Sequence, residues 1–279
     1  MAPMTRSLRA LGLLVGFLAL TKVAAAEPFP LTFTTLPFDN VEEQRAVFSI
    51  LSKQLGDGLG RPVQFVASRS YDDAIESLAS GKADVALLGA VAYVKARRQG
   101  HVRAILRTIR HQKTTYYGII VVKRGSAIKS LADLKGKSFA FVDKYSTAGY
   151  LYPKMLLNAA GIDAERDLKV SFAGGHHLVV KKVAAGEVDA GACFEGAQDT
   201  LADPESVVPI ARTEPVAGDP VVVRPGLGAE LVKKLRSAMI ELATVPEAKP
   251  FFTYSEIDGF VPAVDGDYDR VDELLRQLK

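Results

Sequence analysis

The chain has 279 residues, of which 48% are hydrophobic, 8% aromatic and 24% charged. This balance is typical of a folded globular protein and excludes a disordered or fibrous one. The first 26 residues hold three of the 35 Lys and Arg residues and no acid, so the remaining 253 residues carry 32 basic and 32 acidic side chains. Because this body is neutral, it has no long-range attraction for nucleic acid or an anionic membrane, and any anion that it binds must be held by local geometry.

Residues 1–26 have the pattern of a cleaved secretory signal peptide. Two arginines precede an apolar run at 11–20, and three alanines lie immediately before Glu27. The alternative is a membrane anchor, but the run is shorter than the roughly 20 residues that a bilayer requires, and Lys22 interrupts its end. No cysteine follows the alanines to carry a lipid, so we expect a soluble protein in the periplasm.

From residue 31 onward, short β-rich runs alternate with helical patterns. The first five such segments are 31–36, 41–55, 62–67, 71–80 and 84–88. Strands that alternate with helices in this way predict an α/β fold with mainly parallel strands.

A shift of 105 residues lays one segment of the chain on another. Residues 71–84 then coincide with 176–189, and a glycine and an aspartate match near the end of each copy. Each copy reads as a strand, a polar turn, a helix ended by glycine and a second strand. The alternative is that any two βαβ units look alike over this length. A true repeat puts one copy in each of two lobes, with Tyr71 and His176 at equivalent helix starts facing one cleft.

Ser146 and Thr147 lie between a predicted strand at 137–142 and a helical stretch that ends at Gly161. Hydroxyls and free backbone N–H groups at such a helix start favour an anion site. The alternative is a plain N-cap, which needs only one of the two hydroxyls.

A second glycine-flanked helix start follows at 174–177, where His176 is positioned to donate to an oxyanion. The alternative is a simple polar cap. Four histidines and the single Cys193 offer no spacing for three metal ligands, so we expect no metal and no cofactor. Cys193 has no disulfide partner in the chain and is expected to be a buried free thiol.

Several segments together resemble the phosphate-, phosphite- and phosphonate-binding proteins of ABC importers. They are 130–143, 146–153, 175–176 with 186–192, the pair Ser70-Tyr71 and the run 84–93. The resemblance covers nearly all of the chain after the signal peptide.

This resemblance implies a two-lobed type II periplasmic binding protein, in which each lobe is a mainly parallel sheet flanked by helices and two crossing strands join the lobes. The crossings are expected near 116–121 and 208–219. Residues 27–117 and 218–279 then form lobe 1, and 118–217 form lobe 2.

The resemblance also implies a role for each matching residue. Ser146 and Thr147, with the backbone N–H groups of Ala148 and Gly149, cradle the phosphorus-bound oxygens. His176 donates from the same lobe, Tyr71 and Tyr93 approach from the other lobe, and Asp219 accepts at the second crossing. An acceptor carboxylate can take a hydrogen bond from a protonated P–OH group.

The chain departs from the family pattern in two places, where Ala148 replaces a second serine and His177 replaces a common aspartate. These departures leave the ligand identity open. Glu195 is a further candidate, because a carboxylate pair with Asp219 would suit the ammonium group of an aminoalkylphosphonate. The alternative for Glu195 is an ordinary charge at a strand end.

The function implied is that of a periplasmic receptor, a monomer with no nucleic-acid partner, that captures a phosphonate or phosphite and delivers it to a membrane permease without chemistry. One alternative is an oxyanion sensor that partners a membrane histidine kinase. Another is a hydrolase that uses Ser146 or Cys193 with His176, although no nucleophile elbow accompanies either residue.

Overall fold

The computed structural model describes residues 29–37, 40–100 and 102–277. The expected signal peptide, 1–26, lies outside these residues. The strands, in chain order, are β1 (Leu31–Thr35), β2 (Val63–Phe65), β3 (Val85–Leu87), β4 (Arg103–Ile109), β5 (Thr115–Lys123), β6 (Ser138–Phe141), β7 (Lys169–Phe172), β8 (Ala190–Phe194), β9 (Val207–Ala217), β10 (Pro220–Val223) and β11 (Gly259–Pro262). The α-helices are α1 (Val41–Leu59), α2 (Tyr71–Ala79), α3 (Ala90–Gly100), α4 (Tyr152–Ala159), α5 (Ala164–Asp167), α6 (His176–Ala185), α7 (Ala229–Glu241), α8 (Lys249–Ser255) and α9 (Asp269–Gln277).

The strands form two sheets, one in each lobe. The first has the order β11-β4-β10-β3-β1-β2, and the second has the order β7-β6-β8-β5-β9. The chain passes from the first sheet to the second between β4 and β5, and it returns between β9 and β10. The expected two-lobed α/β organisation is confirmed, while the residue boundaries given above for the lobes stay a prediction.

The expectation of mainly parallel sheets is wrong in detail, because both sheets are mixed. In the first sheet β1 pairs in parallel with β2 and β3, but β10 is antiparallel to both β3 and β4. In the second sheet β5 is antiparallel to both β8 and β9. The strands next to the two crossings are antiparallel to their neighbours. A repeated βαβ pattern predicts parallel pairs and so does not reveal this.

The internal repeat is present in the structure. Helices α2 and α6 start at its two equivalent positions, and each is followed by a glycine with a φ of 78°. The repeated aspartates also act alike: Asp84 accepts from the backbone N–H of Thr32 at 2.9 Å, and Asp189 accepts from that of Ser138 at 2.8 Å. Each aspartate therefore ties the turn after its helix to the first residues of a neighbouring strand.

Alternate side chains of the central strands face opposite sides of each sheet, as the pleat requires. Val85 and Val221 pack in a core with α1, α7 and α8, whereas Ala86 and Val222 belong to a second core with α2 and α3. That second core also contains Leu151 and other residues of the second lobe. The two lobes are therefore packed against each other through apolar side chains.

None of the helices within the described ranges combines the length and the apolar composition that crossing a membrane requires.

Candidate functional site

A cavity of about 110 Å³ lies between the lobes. It is smaller than the pockets of about 300–1,000 Å³ that hold drug-sized ligands, so it suits a ligand of few non-hydrogen atoms. Residues of both lobes line it, among them Thr35, Leu36, Tyr71, Gly89, Arg110, Tyr116, Ser146, Thr147, His176, Phe194, Asp219 and Glu256.

Ser146 caps a π-helical turn, Thr147–Leu151, that leads into α4. Its Oγ accepts from the backbone N–H of Gly149 at 3.0 Å. A cap thus uses one of the two adjacent hydroxyls, as the alternative interpretation required, and leaves the second hydroxyl for another purpose.

The hydroxyl of Thr147 joins the two lobes. Its Oγ1 accepts from the backbone N–H of Val91, in the first turn of α3, at 2.9 Å. Thr147 is 2% exposed, so this bond is shielded from water. The Val91 N–H occupies one lone pair of the oxygen and leaves the O–H of Thr147 available to donate to a ligand.

The ring of His176 is held as a neutral donor. The backbone N–H of Phe194 donates to Nδ1 at 3.0 Å, so Nδ1 carries a lone pair and the proton of the neutral ring lies on Nε2. Nε2 lies 3.4 Å from the Oγ of Ser146. Burial lowers the pKa of His176 to about 3, so the ring stays uncharged near neutral pH.

Acidification should therefore weaken the fold through His176. The unfolded chain takes up this proton near pH 6.5 and the folded chain only near pH 3, so between these values the free energy of unfolding falls by up to about 1.4 kcal/mol per pH unit. His176→Gln removes this contribution and should flatten the dependence. Urea unfolding at pH 4, 5, 6 and 7 measures it, and equal slopes in both proteins would contradict the assignment.

Tyr71 reaches Ser146 from the first lobe. It is the first residue of α2, it is 5% exposed, and its hydroxyl interacts with Ser146 across the cleft. Burial raises the pKa of Tyr71, so the phenol keeps its proton and is able to donate it in a hydrogen bond. Hydroxyl and N–H donors from both lobes thus converge on one part of the cavity.

Asp219 provides an acceptor where the chain returns to the first lobe. Its Oδ1 accepts from the hydroxyl of Tyr116 at 2.9 Å, and its Oδ2 lies 3.5 Å from the Nη2 of Arg110. Burial raises the pKa of Asp219, and the Arg110 guanidinium opposes this shift. A carboxylate is thereby held rigidly in the wall of a buried cavity.

Sequence reasoning missed two charged residues of the cavity, Arg110 and Glu256. Arg110 follows β4 and Glu256 follows α8, and no motif marks either position. The Nη1 of Arg110 donates to the backbone carbonyls of Ser255 and Glu256, each at 2.8 Å. About 145 positions of sequence separate the two, so only the folded chain reveals that they meet.

Three of the expected ligand residues do not line the cavity. Tyr93 is 2% exposed and packs edge-on against Tyr268, with ring centroids 5.0 Å apart. Ala148 and Gly149 lie behind the cavity wall, and the N–H of Gly149 is already used by Ser146. A side chain at Gly149 would place its Cβ 2.3 Å from the Val142 side chain, so close packing explains this glycine.

Glu195 also lies away from the cavity. Its carboxylate pairs with the guanidinium of Arg212 at 2.5 Å, and its side chain is 45% exposed. The expected pair of Glu195 with Asp219 is therefore not formed, and Glu195 is the surface charge that the alternative interpretation described.

The described ranges contain no group of three or more His, Cys, Asp or Glu residues arranged to hold a metal ion. Cys193 is fully buried in the interlobe core, does not line the cavity, and has its pKa raised by burial.

Comparison with known proteins adds to this geometry. Residues 33–268 match the family model described as an ABC transporter, phosphonate, periplasmic substrate-binding protein. The chain is 30% identical to the phosphate-import protein PhnD of Mycolicibacterium smegmatis, over 88% of this chain and 85% of the relative.

The fold is shared with solved binding proteins. Prochlorococcus marinus PhnD1, solved in complex with methylphosphonate, is 23% identical with a TM-score of 0.81, covering 89% of this chain and 97% of the other. A binding-protein component of an ABC phosphonate transporter from Pseudomonas aeruginosa is 22% identical with a TM-score of 0.80, covering 88% and 85%. This likeness confirms the type II binding-protein fold. With the match over residues 33–268 and a relative at 30% identity, the chain belongs to the phosphonate-binding family of periplasmic substrate-binding proteins of ABC transporters.

Proposed function

We propose that this protein captures a phosphorus oxyanion, a phosphonate or a phosphite, in the cavity between its lobes and delivers it to the membrane permease of an ABC importer. The observation that carries this proposal is the convergence of donors from both lobes, namely the Tyr71, Ser146 and Thr147 hydroxyls and the His176 Nε2–H, on the cavity between the lobes. Family membership supports the transport role. The ligand class is supported by one relative that imports phosphate and by another that was solved with methylphosphonate.

These four donors, which form the anion cradle, are all neutral. They therefore bind an anion through directed hydrogen bonds and not through contact with a cation. Asp219 adds an acceptor to the cavity. A ligand that keeps a P–OH proton can donate to Asp219, whereas a fully ionised anion such as sulfate brings only further negative charge to that carboxylate. We therefore expect discrimination in favour of protonated phosphorus oxyanions.

The hydrolase alternative conflicts with the hydrogen bonding of His176. A general base for Ser146 would need a lone pair on Nε2, but the Phe194 N–H requires the lone pair on Nδ1 and leaves the proton on Nε2. The same tautomer is the one that donates to an anion. Binding without turnover is the chemistry that this arrangement favours, and recovery of intact ligand after long incubation tests it.

The comparisons lend no support to the alternative of an oxyanion sensor. We infer that the protein works in the periplasm after removal of residues 1–26, without a lipid anchor, and that it acts as a monomer. Membership of a periplasmic binding-protein family is consistent with these inferences.

The test of this function is ligand binding by the protein expressed from Glu27. A thermal-shift panel compares phosphite, methylphosphonate and phosphate with sulfate and taurine, and calorimetry follows each hit. A ligand at a hundred times its Kd should add about 2.7 kcal/mol to the free energy of unfolding, which raises the Tm measurably. If every phosphorus compound leaves the Tm unchanged, the proposed function is wrong.

Thr147→Val should weaken binding of every ligand that the panel identifies. The substitution removes a proposed donor to the anion and leaves the Val91 N–H, on the other lobe, without its acceptor, so we expect at least about a tenfold rise in Kd. Thr147→Ser keeps the oxygen and is the matched control. Calorimetry measures both, and a valine variant that binds as tightly as the serine variant would refute this role.

A further inference from the structure

We propose that Arg110 is a specificity-determining residue that makes the cavity reject phosphonates whose substituent carries an ammonium group. This inference rests on the proposed function and deepens it. Arg110 is the one Lys or Arg among the described residues that line the cavity. Its guanidinium pairs with the carboxylate of Asp219 and donates to the backbone carbonyl of Glu256, the other acidic residue of that lining.

The guanidinium of Arg110 is fixed in place. Its Nη1 donates to the carbonyl oxygens of Ser255 and Glu256, at the C-terminal end of α8, and its Nη2 lies 3.5 Å from the Oδ2 of Asp219. Its side chain is 16% exposed. Carbonyls at a helix C-terminus carry partial negative charge and hold a cation favourably. With three acceptors in position, the guanidinium cannot swing out of the cavity wall without losing all of them.

Aromatic rings surround the same charge. The guanidinium carbon lies 5.2 Å from the ring centroid of Phe194 and 5.8 Å from that of Tyr116. The Phe194 ring in turn contacts the His176 ring, with centroids 4.8 Å apart. The Phe194 ring thus lies between Arg110 and the His176 donor, and water screens the charge of Arg110 poorly at this buried position.

The position of Arg110 reverses the expectation that a pair of carboxylates would bind the ammonium group of a ligand. Asp219 already has a cationic partner in Arg110, and Glu195, the other carboxylate considered for an ammonium group, lies outside the cavity with Arg212. A ligand ammonium in so small a cavity would lie close to a buried guanidinium that cannot move away. The guanidinium offsets the negative charge that Asp219 would otherwise offer to an ammonium group, and at short range it repels that group itself, so an uncharged substituent of the same size is favoured.

Because Glu256 also lines the cavity, removal of Arg110 should invert the preference between charged and uncharged ligands. Its carboxylate shares the cavity lining, and Arg110 opposes the burial that raises its pKa. If the guanidinium is removed, Asp219 and Glu256 lose the one Lys or Arg that the described residues contribute to the cavity lining. A cavity with that charge attracts an ammonium group, so the preference should invert.

The experiment compares two ligands of equal length, aminomethylphosphonate and ethylphosphonate, which differ in the charge of the terminal group. Calorimetry on the wild-type protein should show ethylphosphonate bound at least about tenfold more tightly. Arg110→Met should reduce this ratio below one, and Arg110→Lys, which keeps the charge, should preserve the preference for ethylphosphonate. Glu256→Gln removes the attractive charge and should increase the ratio further, which decides the question even if the methionine variant does not fold.

Methylphosphonate separates this inference from the proposed function. If the wild-type protein binds no phosphorus compound, the proposed function itself fails. If it binds methylphosphonate but neither longer ligand, size and not Arg110 sets the selectivity, and the inference is overturned. A wild-type ratio near one, or an Arg110→Met or Glu256→Gln variant that keeps the wild-type ratio, overturns it as well.

Discussion

Replacing Ser146 and His176 together by alanine should raise the Kd for the phosphorus oxyanion by between about 100-fold and about 10,000-fold. In the proposed site each side chain donates a hydrogen bond to the charged ligand, worth about 1.5–3 kcal/mol, and the two losses together give this range. Ser146 Oγ and His176 Nε2 lie 3.4 Å apart, so their contributions are coupled and the loss should fall below the sum of the single variants.

Stability must be measured beside affinity, because Ser146 also caps the turn through Gly149. Losing that cap should cost about 1 kcal/mol of unfolding free energy and leave the protein folded. Glu195→Gln, at an exposed position outside the cavity, is the control and should bind as the wild type does. Calorimetry gives the affinities. A double variant that stays within threefold of the wild-type Kd would show that Ser146 and His176 do not bind the ligand.

Gly218→Ala should lower the free energy of unfolding by about 3 kcal/mol. A Cβ at this position would lie 2.2 Å from the backbone carbonyl oxygen of Thr108. Backbone cannot rotate aside as a side chain can, and Gly218 is held on both sides: its N–H donates to the Thr114 carbonyl at 2.8 Å, and its own carbonyl accepts from the Tyr268 hydroxyl at 2.9 Å. The clash must therefore be relieved by moving the crossing itself.

The matched control is Gly58→Ala, inside α1. The added Cβ meets the Cβ of Ala238 at 3.4 Å, which is ordinary contact, and alanine is favoured over glycine in a helix by up to about 1 kcal/mol. The two alanine substitutions should thus change stability in opposite directions. Urea unfolding measures both, and equal stability of the two variants would show that the crossing is loosely packed.

Local sequence signals predicted the parts of the site that local structure positions. Ser146 and His176 each lie at the start of a helical segment after a strand, and the internal repeat correctly placed Tyr71 opposite His176. Asp219 followed from the resemblance, and it lines the cavity. Whether these residues bind the ligand is what the substitutions above test.

The positions of the other site residues depend on tertiary contacts between distant segments, which local sequence patterns do not show. Tyr93 lies on a helix that is buried on several sides, so its phenol points into the interlobe core rather than the cavity. Glu195 follows β8 closely but turns outward to Arg212. Arg110 and Glu256 come from segments far apart in the chain, and the contacts of Arg110 with Asp219 and with the Glu256 carbonyl form only once the chain is folded.

The order of strands in the two sheets sets the order in which the lobes are completed. All five strands of the second sheet are contiguous in the chain, from β5 to β9. The first sheet instead receives β10 between β3 and β4, after the whole second sheet has been synthesised. Until β10 emerges, β3 and β4 have no strand between them, and the loop that must close spans the entire other lobe. During synthesis the first sheet therefore remains without its central strand until the second lobe is complete, so the first lobe, although it begins the chain, is the last to be closed.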